Sequence, residues 1–245
     1  GYALVFGSTN DTLNSYNTTA NNYLDIKFNN NSDTGLTLAN EKSGNTSGRG
    51  TYKGIAGILV NTGTDDTVIN KGSIKEDGST THVRTYGAVV NKGNFKNWGD
   101  ITLNSSLMAQ AKDVTEEDLK KVNIGIFAND SNRNNTSIEH HGDIKIGNTS
   151  GNDAEKNIGG FGIYGYNIKT GAKEDGTDST ITINRNSYGI FSGDGNVDIQ
   201  GTKLLVGNDS VLGHTQNSWT DNNGNIHQYD RQIESNVRKY TDPND

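Results

Sequence analysis

Residues capable of chemistry are scattered through this chain of 245 residues in a pattern that catalysis does not use. Most Asp and Glu stand beside Gly, Lys and Thr in polar stretches. They read as solvated turn carboxylates, because no strand carries a pair of them. His140 and His141 are adjacent. Neighbouring strand residues point to opposite faces, so the two make a poor joint metal site. His140 reads instead as a replacement for a turn asparagine. Asp194-Gly195-Asn196-Val197-Asp198 resembles the start of a calcium loop, but Ile199 stands where glycine is needed and Leu205 where glutamate is needed. The absence of cysteine excludes disulfides, thiolate catalysis and Cys-held metals. Phosphate-loop, nucleophile-elbow and zinc signatures are missing. No catalytic residue, metal or cofactor is expected.

Binding is the chemistry that remains, and it belongs to inserts. Residues 104–123 hold Met108, and Thr115-Glu116-Glu117-Asp118 has the form of a capping box. A short surface helix is expected there, presenting Glu116, Glu117, Lys120 and Lys121. Residues 214–245 hold Trp219 and Tyr229, residue types enriched at interface hot spots. Trp219 lies outside any repeat, so it is free either to bind or to pack its own loop.

What must position these inserts is a repeat. Gly57-Ile58-Leu59-Val60-Asn61 returns as Gly87-Ala88-Val89-Val90-Asn91, Gly125-Ile126-Phe127-Ala128-Asn129, Gly162-Ile163-Tyr164-Gly165-Tyr166-Asn167 and Gly189-Ile190-Phe191. The glycines at 57, 87, 125, 162 and 189 give intervals of 30, 38, 37 and 27 residues by subtraction. A second motif, Asn-x-Gly-x-Ile, follows the first three copies: Asn70-Lys71-Gly72-Ser73-Ile74, Asn97-Trp98-Gly99-Asp100-Ile101, and, with His for Asn, His140-His141-Gly142-Asp143-Ile144. After the last two copies Thr180-Ile181-Thr182-Ile183 and Val197-Asp198-Ile199 keep the alternating strand and lose the Asn-x-Gly. Repeats of this length mark stacked architectures. Hydrophobic content is only 30%, which suits a solenoid, where each repeat adds one thin apolar stripe to a shared core.

The spacing predicts an all-β, right-handed parallel β-helix over residues 1–206. Seven to nine rungs are expected, on two or three short strands per rung. Residues 207–245 read as a polar excursion or the end of a fragment. Ile163, Ile190 and Phe127 are expected inside, together with Ile126, Phe191, Ile101 and Ile144. At strand spacing, Asn61, Asn91, Asn129 and Asn167 are expected to stack as an amide ladder. The chain opens in mid-strand at Tyr2-Ala3-Leu4-Val5-Phe6, as a piece of a longer protein would.

A net charge of −7 argues against nucleic acid as a partner. No apolar run reaches membrane-spanning length, so this segment is not expected to contact a membrane itself.

The paired motifs, notably Tyr188-Gly189-Ile190-Phe191, Phe161-Gly162-Ile163-Tyr164 and the two Asn-x-Gly-x-Ile runs at 70–74 and 97–101, resemble the passenger repeats of large bacterial autotransporter adhesins. The likeness is closest to the very long outer-membrane adhesins of fusobacteria, and it covers residues 54–206. It implies a β-helix displayed at the cell surface, anchored through an outer-membrane barrel that this sequence does not include. Its partner would be a host-cell protein or glycan, or the surface of another bacterium. The alternatives are a structural spacer within a giant passenger and a β-helix enzyme that degrades polysaccharide.

Overall fold

The computed structural model describes residues 2–8, 14–29, 55–77, 80–81, 85–106, 123–128, 134–147, 160–183, 187–192 and 195–206, with strands at 217–220, 226–229, 232–234 and 237–238. Within them the chain forms a parallel β-helix of six rungs. The rung count is lower than the seven to nine expected: each rung holds three strands, and the rungs recur only every 27–38 residues. The repeat glycine lies within the first strand of a rung, as Gly57 does in Ile55–Asn61. The Asn-x-Gly motif is the turn between the second and third strands, as in Thr67–Asn70 followed by Ile74–Asp77. Thr85–Asn97 runs unbroken through the first and second sheets.

Three interior columns meet along the axis. In the third sheet Ile26, Ile74, Ile101, Ile144, Ile181 and Leu204 lie in register, one per rung. The first sheet supplies Ile58, Ala88, Ile126 and Ile163, and the second Val68, Phe95, Ile138 and Ile168. All are essentially removed from solvent. Ile101, Ile126, Ile144 and Ile163 thus stand in the core as expected, and Ile190 packs partly buried against it.

Phe127 and Phe191 do not. With Ile126 and Ile190 inside, strand alternation turns the next residue out. Both join a second apolar layer on the outer face of the first sheet, with Leu59, Val89 and Tyr164 in the same column. Their rings meet there, Phe127 to Tyr164 at 5.4 Å between centroids and Tyr164 to Phe191 at 4.9 Å.

The recurrent glycine is required by crowding. A Cβ on Gly125 would stand 2.5 Å from the Gly162 carbonyl oxygen of the next rung and 3.0 Å from Ile144 Cγ2 across the interior. Gly57 and Gly87 meet the same two neighbours one rung earlier each. The glycine of the Asn-x-Gly turn is pressed the same way, since a Cβ on Gly99 would overlap the Gly72 carbonyl.

The asparagine of that turn builds a ladder. Asn22 Nδ2 donates to Asn70 Oδ1, and Asn70 Nδ2 to Asn97 Oδ1, each at 2.7 Å. Each amide also donates to the carbonyl two residues on, at Leu24, Gly72 and Gly99. The next rung places His140 in the column, with Nδ1 at 3.0 Å from Asn97 Nδ2. His140 therefore does replace the turn asparagine. Of the ladder expected at the repeat itself, Asn91 Nδ2 donates to Asn61 Oδ1 at 2.7 Å. Asn129 lies outside the described residues, and Asn167 Nδ2 donates to the Thr136 carbonyl.

The expected helix, with Met108, Glu116, Glu117, Lys120 and Lys121, also falls outside the described residues. The polar tail returns to the rod. Gln232–Glu234 pairs antiparallel with Thr202–Val206, the last strand of the third sheet.

Gly125→Ala should cost about 1–3 kcal/mol, the usual penalty for overpacking a filled interior, and lower the melting temperature accordingly. A melting curve that does not move would refute the crowding.

His140 is fully buried, and burial pushes its pKa down from 6.5 to about 3. The unfolded chain therefore binds more protons than the folded one between these values. The stability is complete above about pH 6.5 and falls as the pH drops, by up to about 1.4 kcal/mol per pH unit. Because Nδ1 accepts from Asn97, the proton sits on Nε2, which has no partner among the described residues. His140→Asn should remove the acid slope and raise stability by about 1 kcal/mol. Denaturant melts at pH 7 and 5 would show both effects, and an unchanged slope would contradict the assignment.

Candidate functional site

The middle residue of Asn-x-Gly faces outward while the asparagine turns in. Register then stacks these outward residues in a column of their own: Tyr23, Lys71, Trp98 and His141, one per rung. At rung spacing of about 4.8 Å such residues touch. The Trp98 and His141 rings lie 3.8 Å apart and 7° from parallel.

In the fifth rung the motif is replaced by Thr170-Gly171-Ala172, and the chain makes an arch over residues 171–178. The arch is a closed turn. Lys173 N donates to the Thr177 carbonyl at 2.8 Å and Gly176 N to the Lys173 carbonyl at 2.9 Å. Gly176 takes a φ of +83°, which glycine adopts without strain. Asp175 accepts from Thr177 Oγ1 at 2.6 Å and from its backbone N–H at 2.9 Å. These bonds, the hydroxyl first, hold the Asp175 carboxyl below the usual carboxylate range.

The arch reaches back along the rod. Lys173 Nζ pairs with Asp143 at 2.6 Å, and this bond raises the lysine's pKa. Glu174 Oε1 pairs with Lys71 Nζ at 2.7 Å, three rungs away, and likewise raises the Lys71 pKa. Both pairs are substantially exposed and add little stability each. Their consequence is geometric: they hold the arch over the Lys71–Trp98 step.

His141 is the arch's third anchor. Its Nδ1 is 2.8 Å from the Ala172 carbonyl, and its Nε2 is 2.9 Å from Glu139 Oε1. Carbonyl and carboxylate only accept, so each of these bonds is made by whichever ring nitrogen carries a proton. Lys96 holds Glu139 from the other side at 2.9 Å. Burial drives the Glu139 pKa up, but the bonds from His141 and Lys96 outweigh it and leave it lowered.

Between these parts opens a pocket of about 260 Å³, lined by Lys71, Trp98, Lys173, Glu174 and Asp175. His141 covers one face of the indole and is not in the lining, so the pocket looks onto the rest of that ring. Among the described residues, no three His, Asp or Glu side chains are placed to hold a metal ion.

The pocket uses none of the binding residues expected from the sequence. Met108, Glu116, Glu117, Lys120 and Lys121 lie outside the described residues. Trp219 and Tyr229 fall on an antiparallel strand pair, Trp219 opposite His227 and Tyr229 opposite Asn217. The signal for Trp98 was the variable letter of a motif whose constant letters set the register. Residues in that slot must stack.

Gly171 is a second such signal, since a Cβ there would stand 2.6 Å from the His141 ring. Gly171→Ala should displace His141 from Trp98, changing indole fluorescence in a Trp219→Phe background while the cooperative melt persists. An unaltered emission spectrum would mean that the ring pair does not depend on the arch.

Comparison of the chain with family models, curated proteins and solved structures returned no match.

Proposed function

We propose that this chain is a non-catalytic segment of a bacterial cell-surface adhesin, a rigid β-helical rod that attaches to a host-cell receptor or to another bacterium. The observation that carries this reading is the pocket at Trp98. It combines an aromatic wall, a polar rim and a scaffold that cannot shift without breaking rung register. Rigid elements displaying variable loops are the usual division of labour in recognition. The likeness of the two paired motifs to autotransporter passenger repeats supports the cell-surface setting, with anchoring through a barrel elsewhere in the parent protein. Reading the pocket as a binding site rather than a hydrolytic one draws on its carboxylates. A glycosidase acid needs a raised pKa, whereas the shift of Asp175 runs downward.

A fluorescently labelled chain should bind cultured epithelial cells or a co-aggregating bacterium saturably. Trp98→Ala should weaken that binding tenfold or more, as loss of an interface hot spot does, and leave the melting temperature within about 2 °C. No saturable binding to either surface would overturn the attachment reading. Full binding by Trp98→Ala would move the contact to residues 107–121 or to Trp219.

A further inference from the structure

We infer that the Trp98 pocket is a saccharide subsite that takes one neutral sugar ring. This rests on the attachment reading above and names its ligand chemistry.

Size comes first. At about 260 Å³ the pocket is below the range of sites for drug-sized molecules. It suits a single six-membered ring with its substituents, or the terminal residue of a longer glycan.

Charge comes second. The lining carries two ammonium groups, Lys71 and Lys173, and two carboxylates, Glu174 and Asp175. Their formal charges cancel. Lys71 is paired with Glu174, and Lys173 with Asp143. An anionic ligand would meet Glu174 and Asp175 and find both ammoniums paired, and a cationic one would meet those ammoniums beside a paired Glu174 and an Asp175 held by Thr177. A ligand of hydroxyl groups escapes this conflict. Hydroxyls both donate and accept, so they can bridge an ion pair, donating to Glu174 or Asp175 while accepting from Lys71 or Lys173. Hydrogen bonds to charged groups are the stronger kind.

The aromatic wall comes third. A sugar is polar at its rim and apolar across the C–H face of the ring, and an indole face is the natural complement to that face. Only part of Trp98 is available, because His141 occupies the other side. The site therefore holds one ring against the indole and not a sandwich. His141 also carries a contribution: pinned by Glu139 and Ala172, it fixes the indole plane before any ligand arrives. Preorganisation of this kind lowers the entropic cost of binding. The remaining outward residues, Tyr23 on the far side of Lys71 and the arch on the near side, continue the surface in both directions along the rod. A glycan chain leaving the pocket has that column to follow.

A single ring so bound should show affinity in the millimolar range, as small ligands with few atoms do. The test uses the full chain with Trp219→Phe, so that Trp98 is the sole indole. Galactose, glucose, N-acetylglucosamine, N-acetylgalactosamine, mannose and fucose are titrated separately, with fluorescence and saturation-transfer NMR as readouts. Free N-acetylneuraminic acid serves as the anionic probe and arginine methyl ester as the cationic one. The expected result is saturable binding of at least one neutral sugar. It should be lost at least tenfold in Glu174→Gln and be undetectable in Trp98→Ala, with both variants melting as the parent does. If a variant unfolds, NMR contacts from the sugar's ring protons to Trp98 in the parent chain decide in its place. Absence of saturable sugar binding overturns the inference, and so does tighter binding of the anionic or the cationic probe. Cell binding measured in parallel separates the two readings. Trp98-dependent cell binding without sugar binding would leave the adhesin reading standing and remove the saccharide.

Discussion

Each rung must settle on the one before it with almost no slack, and the glycine column shows how little there is. The Gly57, Gly87, Gly125 and Gly162 backbones come so close to the next rung and to the isoleucines of the third sheet that a single methyl group would collide. That closeness lets a chain with only 30% hydrophobic residues build a dry interior. The apolar cross-section per rung is small, so it has to be filled completely. It also sets the register. Once one glycine is seated, the side chains before and after it have no choice of column.

Columns are where the sequence becomes physical. A residue type repeated at one slot is a ladder in space, and its chemistry is multiplied. The turn asparagines pair with each other from Asn22 to Asn97, and every amide hydrogen has a partner. The carboxylates of Asp100 and Asp143 each accept a backbone N–H from the following rung, at Asp143 and Thr180. The isoleucines form the core. Where a slot changes type the ladder shows a fault, and His140 is one. It keeps the hydrogen bond to Asn97 and leaves a buried nitrogen with no partner among the described residues.

Outward columns carry no such demand for uniformity, and there the chain differentiates. On the first sheet the outward slots are apolar and aromatic, and they form a second packed layer in which Tyr86, Val89 and Ile124 are as buried as the true core. Phe161 and Tyr188 continue it with stacked rings 5.2 Å apart, and Tyr188 is mostly exposed. At the turn between the second and third sheets the outward slots are Lys71, Trp98 and His141. The arch from the fifth rung closes over them. Rigidity comes from the rod, and selectivity from the slots that the rod leaves free.

The architecture was legible in the residues because it depends on period alone. Recurring glycines and alternating isoleucines point to stacked strands, and the Asn-x-Gly turn reveals its role by returning ahead of an isoleucine. Phe127 was expected inside beside Ile126, although adjacent strand residues face opposite ways and the count from Ile126 turns it outward. Trp98 stood in plain view as the middle letter of a motif. Its meaning needed something that period does not contain: the arch at 171–178 folds back across three rungs to meet Lys71, a residue 103 positions earlier. Nothing local marks that contact. It arises because stacking places residues from distant repeats side by side, and because Gly171 leaves room for a histidine ring beneath the returning chain. Sequence spacing sets which residues share a column. The path of an insert across the columns is set only when the rungs are stacked and a charged side chain finds its partner on another turn of the helix.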